Sequence, residues 1–343
     1  MSNFKILTCA SYYGTGSSAF TDYVSEFSNI YSFTNEEFRF VQDPDGISDL
    51  EYNLVDNFNR HNSGHALKRF KRLVDLNCGN IFGRKYEKFF HGNWKKYSYE
   101  YINKLTDFKY NGWWQYDLID RGEFFYFRKR ILNKILKTTI WRNKPDRCLN
   151  TMKKEITYCS HPTEEYFLDC TRTYIDDLFS SVSQGYNTVM VDQIVPPTNL
   201  KRYLRYFNDI KVCIVDRDPR DIFLLDKYEW KDGVIPSDVE LFCKWYKYTR
   251  SHRKTESFAD DRLKFIQFED LIYNYDRVTK EIDLWLNLDE SLHKDKFKHF
   301  NPSVSINNTQ TWKRIKYKKG EVEYIEKELA EYLYPFERQN VEN

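Results

Sequence analysis

The sequence predicts an α/β fold with a central parallel sheet and a large, mostly helical insertion. Two observations lead to this prediction: short runs that are apolar throughout, and segments with helical spacing between and after them. Runs without polar alternation are typical of strands buried on both faces, and strands that alternate with helices favour a parallel sheet. The predicted strands are 4–10, 187–195, 210–216 and 262–268.

The predicted helices follow from the spacing of apolar residues around these strands. Apolar side chains recur at helical intervals in 17–27, 236–254 and 270–288, which is the pattern of a helix that buries one face. The second of these helices is expected to begin at Ser237 or Asp238, because short polar side chains cap helix N-termini.

The stretch from about 46 to 184 differs in composition from the rest of the chain. It is rich in Lys, Arg, Tyr, Phe and Trp and has little strand signal, but it contains two long helical patterns, at 64–76 and 124–141. We interpret it as a largely helical insertion between the first and second predicted strands, within a single domain that spans 1–343. It either shapes a substrate site above the carboxyl ends of the strands or forms a structural cap with solvated basic faces.

Composition narrows the class of protein. The chain has 53 basic and 51 acidic residues, so its overall field is weak, no nucleic-acid partner is expected, and any basic site must be local. Seven cysteines without a CxxC pair argue against a disulfide framework and a zinc site, and no metal is expected. The apolar runs are too short for a signal peptide or a membrane span, which favours a cytoplasmic protein. The sequence indicates no oligomeric state.

A glycine loop lies between the first predicted strand and the first predicted helix. Gly14 and Gly16 precede Ser17 and Ser18, which begin the helix. The backbone N–H groups of such a turn, together with the positive end of the helix dipole, can bind an anion without a charged side chain. The loop is not a Walker A motif, because Ser17 stands where that motif has lysine. A purely structural turn is the alternative.

Two arginines follow the third predicted strand. Arg217 and Arg220 flank a proline turn at its carboxyl end, where open α/β sheets bind ligands and where guanidinium groups favour phosphate. The alternative is that both arginines pair with Asp218 and Asp221 in a surface cluster.

A basic loop with a tryptophan lies near the carboxyl end, in 305–320. Here Trp312 is followed by Lys313 and Arg314. A tryptophan with neighbouring cations can stack on a base and clamp phosphates, whereas a solvated basic loop is the alternative.

Taken in order, four stretches resemble the sulfotransferase family that uses 3′-phosphoadenosine-5′-phosphosulfate (PAPS), in particular bacterial enzymes that act on carbohydrates. The stretches are "YGTGSSAF", "VCIVDRDPRDIFLL", "FEDL" before a helix, and "NTQTWKRI". The resemblance covers the first thirty-odd residues and roughly 187 to 320, and leaves the insertion unmatched. It implies a P-loop-like three-layer fold. It also implies transfer of a sulfuryl group from PAPS to a carbohydrate hydroxyl, less often an amine, by in-line displacement in polysaccharide biosynthesis.

The resemblance also implies roles for particular residues in nucleotide binding. The 5′-phosphosulfate would be held by backbone and hydroxyl groups of Gly14, Thr15, Gly16, Ser17, Ser18 and Ala19. Arg217 would bind the 3′-phosphate. The basic loop in 305–320, the late loop, would close the site with Trp312, Lys313 and Arg314. Two positions depart from the family pattern: Gly14 stands where the family has Lys or Arg, and Leu225 stands where it has a serine.

A carboxylate is expected to act as the base that takes the proton of the acceptor. The stretch 33–40 resembles the position of a catalytic glutamate in carbohydrate sulfotransferases, which makes Glu37, or its neighbour Glu36, the first candidate. Asp192, at the end of the second predicted strand, and His161, in the insertion, are further candidates.

The origin of the catalytic cation and the reaction itself stay open at the level of sequence. The cation would come from Lys313, from Arg314 or from the insertion, because any positioned donor can stabilise the leaving oxygen. A P-loop-type kinase is the first alternative function, although it requires the lysine that the loop lacks. A nucleotide-binding homologue with impaired catalysis is the second, and Gly14 and Leu225 would explain the impairment.

Overall fold

The computed structural model describes residues 4–79, 86–112, 116–144, 146–147, 155–251 and 260–336. The strands are β1 Lys5–Ser11, β2 Ile30–Glu37, β3 Phe108–Asn111, β4 Ile156–Cys159, β5 Thr188–Asp192, β6 Ile210–Asp216 and β7 Leu263–Gln267.

The α-helices are α1 Ser17–Ser25, α2 Ile47–Glu51, α3 Arg60–Asn77, α4 Tyr86–Phe89, α5 Trp94–Lys104, α6 Tyr116–Arg121, α7 Glu123–Thr138, α8 Glu164–Ser180, α9 Leu200–Tyr203, α10 Pro219–Leu224, α11 Val239–Thr249, α12 Phe268–Tyr273, α13 Tyr275–Leu286, α14 Pro302–Ser305 and α15 Glu321–Glu328. Two π-helical segments are Tyr52–Asp56 and Leu225–Trp230. Single 3₁₀ turns are Leu204–Tyr206, Glu290–Leu292, Ile306–Asn308, Thr311–Lys313 and Ala330–Tyr332.

A parallel sheet organises the chain, as the apolar runs predicted. Among the described residues it has five strands in the order β2-β5-β1-β6-β7. The central strand β1 pairs with β5 and β6, so that Thr8 lies between Val191 and Val212. The four predicted strands are present as β1, β5, β6 and β7, and the α/β fold class is confirmed.

Helices pack on one face of the sheet, and the other face is also buried along β1, β5 and β6. On the first face, side chains of β1, β5, β6 and β7 form a cluster with α1, α12 and α13 that includes Leu7, Phe20 and Ile282. Side chains that alternate to the opposite face, such as Ile6 and Val189, are also buried. Burial on both faces is what a three-layer α/β fold requires, because a parallel sheet is covered on each side.

The edge strand β2 was not predicted from the sequence. Its last four residues are all polar, and the apolar residues before them are interrupted by Ser32, so no apolar run marks it as a strand. Its pairing with β5 is regular from Ile30 to Ser32 and then shifts before Glu37 meets Asp192. Such an irregularity is common at sheet edges and bends the strand.

The chain forms two compact units. The first, residues 1–42 and 179–343, contains the parallel sheet, and the second, residues 43–178, is mostly helical. Within the second unit, β3 and β4 form an antiparallel pair that the sequence did not predict. The interpretation of 46–184 as an insertion within a single domain stays a prediction. Over the part of the chain that the structure describes, no helix has the length and hydropathy needed to cross a bilayer.

Two of the predicted helices end differently from expectation. The helix expected over 270–288 is two helices, α12 and α13, separated at Asn274, whose backbone leaves the helical region. The helix expected over 236–254 is α11, where the side chain of Asp238 caps the start by accepting from the N–H of Leu241. Residues 252–254 of that prediction lie outside the described residues.

Candidate functional site

The glycine loop connects β1 to α1 and has a left-handed backbone at three positions. Tyr13, Gly14 and Gly16 have φ angles of 70°, 66° and 87°, a region that glycine occupies freely and other residues rarely adopt. Gly16 is also sterically constrained, because a Cβ at this position would lie 2.5 Å from Cδ2 of Phe268. The loop conformation therefore depends on glycine.

Backbone and hydroxyl donors meet where the loop enters α1. Gly16 is the N-cap, so the N–H groups of Ser17 and Ser18 lie in the first turn, where the helix itself provides no acceptor. Thr15 is fully buried, and its Oγ1 has no hydrogen-bond partner among the described residues. The N–H of Ala19 differs, since it donates to the carbonyl of Gly16 at 3.1 Å. Donors at the positive end of a helix suit an anion.

Arg217 bonds to both the glycine loop and the late loop. Its side chain is buried, and its guanidinium donates from Nη1 to the carbonyl of Gly14 at 3.2 Å and from Nη2 to the carbonyl of Asn308. Among the described residues its Nε has no hydrogen-bond partner, and no carboxylate bonds directly to its guanidinium. Burial lowers the pKa of Arg217, but a guanidinium keeps its charge in proteins. A buried cation therefore lies beside the glycine loop.

The charges around Arg217 form buried ion pairs, not the surface cluster considered from the sequence. Arg220 donates from Nε and Nη2 to the carboxylate of Asp218 at 2.9 and 2.8 Å. Arg250 donates from Nη2 to Oδ1 of Asp216 at 2.6 Å. Both carboxylates are buried, and each has an arginine of its own. The guanidinium of Arg217 is thereby left with carbonyl oxygens as its hydrogen-bond acceptors.

Asp221 anchors the late loop. Its carboxylate accepts from the N–H of Gln310 at 3.0 Å and from the N–H and hydroxyl of Thr311, both at 2.7 Å. The same loop presents the carbonyl of Asn308 to Arg217. Sequence reasoning considered Asp221 only as an ion-pair partner. The sequence feature that could have indicated an anchoring role is an acidic side chain in the first turn of a helix that follows a buried strand.

The three late-loop residues predicted to close a nucleotide site have partners within the protein. The guanidinium of Arg220 lies 3.9 Å from the ring centroid of Trp312, so one face of the indole is covered. Arg314 forms an ion pair with Glu229. Lys313 is exposed and bonds within its own loop. Lys313 is therefore the less constrained of the two cations in this set.

Asp192 lies at the carboxyl end of β5, beside the first turn of α1. Its Oδ2 accepts from Oγ of Ser17 at 3.5 Å, and its Oδ1 is buried without a partner among the described residues. Burial, reinforced by the nearby carboxylate of Glu37, raises the pKa of Asp192 to about 7. The adjacent Gln193 donates from Nε2 to Oγ of Ser11 at 2.6 Å. A carboxyl group with a pKa near neutrality has the property required of a general base.

Glu36 and Glu37 are exposed at the end of β2. Glu37 lies opposite Asp192 in the sheet register, and its Oε2 is 3.8 Å from Nη1 of Arg39. Arg39 in turn donates from Nη2 to the hydroxyl of Tyr13 in the glycine loop at 3.4 Å. Sequence reasoning missed Arg39, because its approach to the loop depends on β2, a strand that was not predicted.

A cleft of about 320 Å³ opens where β1 and β5 end. Ligands bind in this position in open α/β sheets. Side chains that line the cleft include Tyr12, Tyr13, Arg39, Gln42, Gln193 and Tyr248. Aromatic rings, amides and one guanidinium thus surround a space beside the glycine loop.

Two other residues considered from the sequence are engaged in packing. The imidazole of His161, in the second unit, stacks on Phe58 with 3.5 Å between ring centroids. Leu225, at the position of the family's serine, is fully buried in the π-helical segment after α10.

Comparisons with known proteins give little further information. No protein-family model and no curated protein matches the chain. Among solved structures, the chain is similar to a sulfotransferase domain from the curacin biosynthetic pathway, with 14% identity over 96% of this chain and 99% of that chain, and a TM-score of 0.41. A likeness at this level establishes neither family nor activity.

Proposed function

We propose that the chain is a bacterial, cytoplasmic sulfotransferase that moves a sulfuryl group from PAPS to a hydroxyl, less often an amine, of a carbohydrate in polysaccharide biosynthesis. One observation carries the proposal: the buried guanidinium of Arg217 bonds to the carbonyl groups of both Gly14 and Asn308. Gly14, Arg217 and Asn308 lie in three of the four stretches that resemble the family. These three stretches are distant in sequence, and the side chain of Arg217 links them. A nucleotide with phosphate groups at two ends needs this kind of convergence.

The residues present fit both phosphate ends of PAPS. The 5′-phosphosulfate would lie against residues 14–19, where the N–H groups at the start of α1 and the buried hydroxyl of Thr15 are suited to an anion. The 3′-phosphate would bind Arg217, taking the place of the Asn308 carbonyl on Nη2 and reaching the unpartnered Nε. The late loop would close the site with Trp312, Lys313 and Arg314.

Arg39 is the cation best suited to the leaving oxygen. Negative charge develops on the bridging oxygen as its bond to sulfur breaks, and a positioned cation stabilises it. Arg39 lines the cleft and contacts the glycine loop through Tyr13, and Glu37 helps to hold its guanidinium. It would supply the charge that is missing at Gly14. Lys313 is the alternative source.

Asp192 is the base that the geometry supports best. The acceptor hydroxyl would lose its proton to the carboxylate as its oxygen bonds to sulfur, while the desulfated nucleotide leaves on the opposite side. A pKa of about 7 allows Asp192 to take that proton near neutral pH. Glu37 and Glu36, which are exposed, remain the other candidates.

The lining of the cleft supports a carbohydrate acceptor. Tyr13 and Tyr248 present exposed aromatic rings, and the amide groups of Gln42 and Gln193 lie in the same lining. Aromatic rings pack against the apolar faces of sugars, and a few positioned polar groups bind hydroxyls and fix orientation.

One observation favours a phosphoryl transferase as the second candidate. Ser17 follows the glycine loop and donates to Asp192 at the end of the neighbouring strand. In P-loop nucleotide hydrolases, a serine or threonine and a strand-end aspartate in these positions hold Mg²⁺. The loop lacks the lysine that such enzymes place on the phosphates, which is why this candidate ranks second.

Calorimetry with 3′-phosphoadenosine-5′-phosphate (PAP), the desulfated product of PAPS, tests the proposal without knowledge of the acceptor. We expect PAP to bind more tightly than ATP, because ATP lacks a 3′-phosphate for Arg217. Arg217→Ala should weaken PAP binding by roughly 10- to 100-fold, since a hydrogen bond to a charged group contributes about 1.5–3 kcal/mol. Arg277→Ala, which removes an arginine from an exposed ion pair on α13, is the matched control and should bind PAP as the parent does.

Other outcomes would assign a different function. Tighter binding of ATP that depends on Mg²⁺ would support the phosphoryl transferase. Binding of PAP without sulfate transfer to any glycan in a broad acceptor screen would support a homologue with impaired catalysis. An Arg217→Ala protein with the parent's affinity for PAP would show that the site is wrongly assigned.

A further inference from the structure

Helix α7, Glu123–Thr138, presents most of its surface to solvent, and none of its side chains is buried. Its half-buried residues, Phe125, Lys129, Asn133 and Leu136, recur at helical spacing and so share one side. This helix has 16 residues and is therefore about 24 Å long. The remaining sides of α7 are exposed.

An exposed apolar stripe runs along α7. Four of its residues follow one another at intervals of three or four positions, and Leu132 lies beside them. The five therefore form a continuous surface. They are Phe124, Phe127, Ile131, Leu132 and Ile135, with exposed fractions of 72, 57, 44, 46 and 51%. Contiguous apolar surface of this kind on a protein marks an interaction site.

Basic residues border the stripe. Arg130, Lys134 and Lys137 are exposed and follow one edge at helical spacing, and Arg128 is exposed between Phe124 and Leu132. The helix contains five Lys or Arg residues and one acidic residue, Glu123. The chain as a whole is nearly neutral, so this is a local concentration of positive charge next to apolar surface.

We propose that α7 is an interfacial helix that docks the protein on an anionic lipid surface. The stripe would enter the boundary between headgroups and acyl chains, with the helix lying in the plane of the membrane. The bordering lysines and arginines would extend their aliphatic stems along the apolar surface and place their charges among anionic headgroups. This proposal does not depend on the sulfotransferase proposal.

The composition of the face favours lipid over other partners. The centres of protein interfaces are depleted in lysine, whereas Lys134 and Lys137 lie immediately beside the stripe. Nucleic acid would use the positive charges but leave the aliphatic side chains of Ile131 and Ile135 without a role. An anionic lipid surface uses both properties of the helix.

Co-sedimentation of the full chain with vesicles tests the proposal. We expect the protein to bind vesicles of phosphatidylcholine and phosphatidylglycerol in equal parts, and to bind phosphatidylcholine vesicles at least about tenfold more weakly. Ile131→Asp should lower binding to the anionic vesicles roughly tenfold, because it places a charge in the apolar stripe. The double variant Lys134→Glu, Lys137→Glu should lose the preference for anionic lipid.

The matched control is Leu284→Asp on α13, which places the same charge at an exposed apolar position elsewhere and should bind as the parent does. Thermal melts followed by circular dichroism check that the variants fold. A parent protein that remains in the supernatant with both kinds of vesicle would overturn the proposal, as would an Ile131→Asp protein that binds like the parent. Dimerisation abolished by Ile131→Asp, without vesicle binding, would assign the face to a second copy of the chain.

Discussion

Arg217 and Arg220 are three residues apart, yet their surroundings give them different properties. Arg220 lies against the carboxylate of Asp218, which neutralises its charge within the protein. Arg217 is equally enclosed but bonds to the carbonyls of Gly14 and Asn308, which are dipoles and carry no net charge. A buried cation without a directly bonded counter-ion costs free energy, and a bound phosphate would lower that cost. The difference explains why Arg217, and not Arg220, is proposed to bind the nucleotide.

Glu269 also lies in this cluster of buried charges. It is fully buried, its Oε1 accepts from the N–H of Asp218 at 2.9 Å, and its Oε2 has no partner among the described residues. Burial, with the neighbouring carboxylate of Asp218, raises the pKa of Glu269 to about 8 from its ordinary value of 4.5. Between these values the native state holds a proton that the unfolded chain releases, so stability falls as pH rises through this window.

We therefore expect Glu269→Gln to reduce the pH dependence of stability. Glutamine can retain the acceptor for Asp218 without a carboxylate to ionise, so the variant should nearly match the parent at pH 5 and exceed it near pH 8 by about 3 kcal/mol. Urea denaturation at both pH values measures this difference. Glu323→Gln on the exposed side of α15 is the control and should follow the parent at both. A parent and a Glu269→Gln variant with the same pH dependence would contradict this account of Glu269.

At the scale of elements, α10 organises the site because carboxylates at its start bind backbone N–H groups of the helix itself and of the late loop. Asp218 caps its start and accepts from the N–H of Arg220. One turn later, Asp221 holds the backbone of the late loop at Gln310 and Thr311. The carboxylate of Asp221 therefore holds the backbone of the late loop, together with the bond from Arg217 to Asn308 and the ion pair of Arg314 with Glu229.

Removal of this carboxylate should loosen the late loop. We expect Asp221→Ala to accelerate tryptic cleavage after Lys313 or Arg314 by roughly tenfold, because loss of hydrogen bonds to a charged acceptor lowers the free energy of local opening by about 1.5 kcal/mol. Thr311→Val, which removes only the hydroxyl bond to Asp221, should have a smaller effect. Limited proteolysis followed by mass spectrometry locates the cleavage.

The control for the loop experiment is Asp238→Ala, which removes an aspartate that accepts a backbone N–H at the start of α11. It should leave cleavage in the late loop unchanged. Equal cleavage rates for the parent and Asp221→Ala would mean that other contacts hold the loop.

At the scale of the whole molecule, local features could be predicted and contacts between distant residues could not. Strands β1, β5 and β6 were found because they are buried on both faces and so are apolar over most of their length. Strand β7 was found from its short apolar run, although Phe265 within it is exposed. The glycine loop and Arg217 were found because a turn and a strand end are local patterns. The roles of Arg39 and Asp221 depend on partners 26 and about 90 residues away, and no local pattern indicates such partners.

The exposed helix α7 illustrates the same limit. Its amphipathic spacing predicted a helix within 124–141, but spacing alone does not distinguish a face that packs on the protein from one that remains exposed. The near-neutral charge of the chain pointed only to local basic sites, and the structure identifies the apolar stripe beside one of them.

A crystal structure with PAP bound tests the central claim most directly, since it locates the nucleotide and the cation that faces it. We predict that the 5′-phosphate contacts the N–H groups at the start of α1 and that the 3′-phosphate contacts Arg217, with the carbonyl of Asn308 displaced from Nη2. The guanidinium of Arg39 should face the 5′-phosphate from the cleft. A nucleotide bound elsewhere, with Arg217 still held by Gly14 and Asn308, would contradict the account.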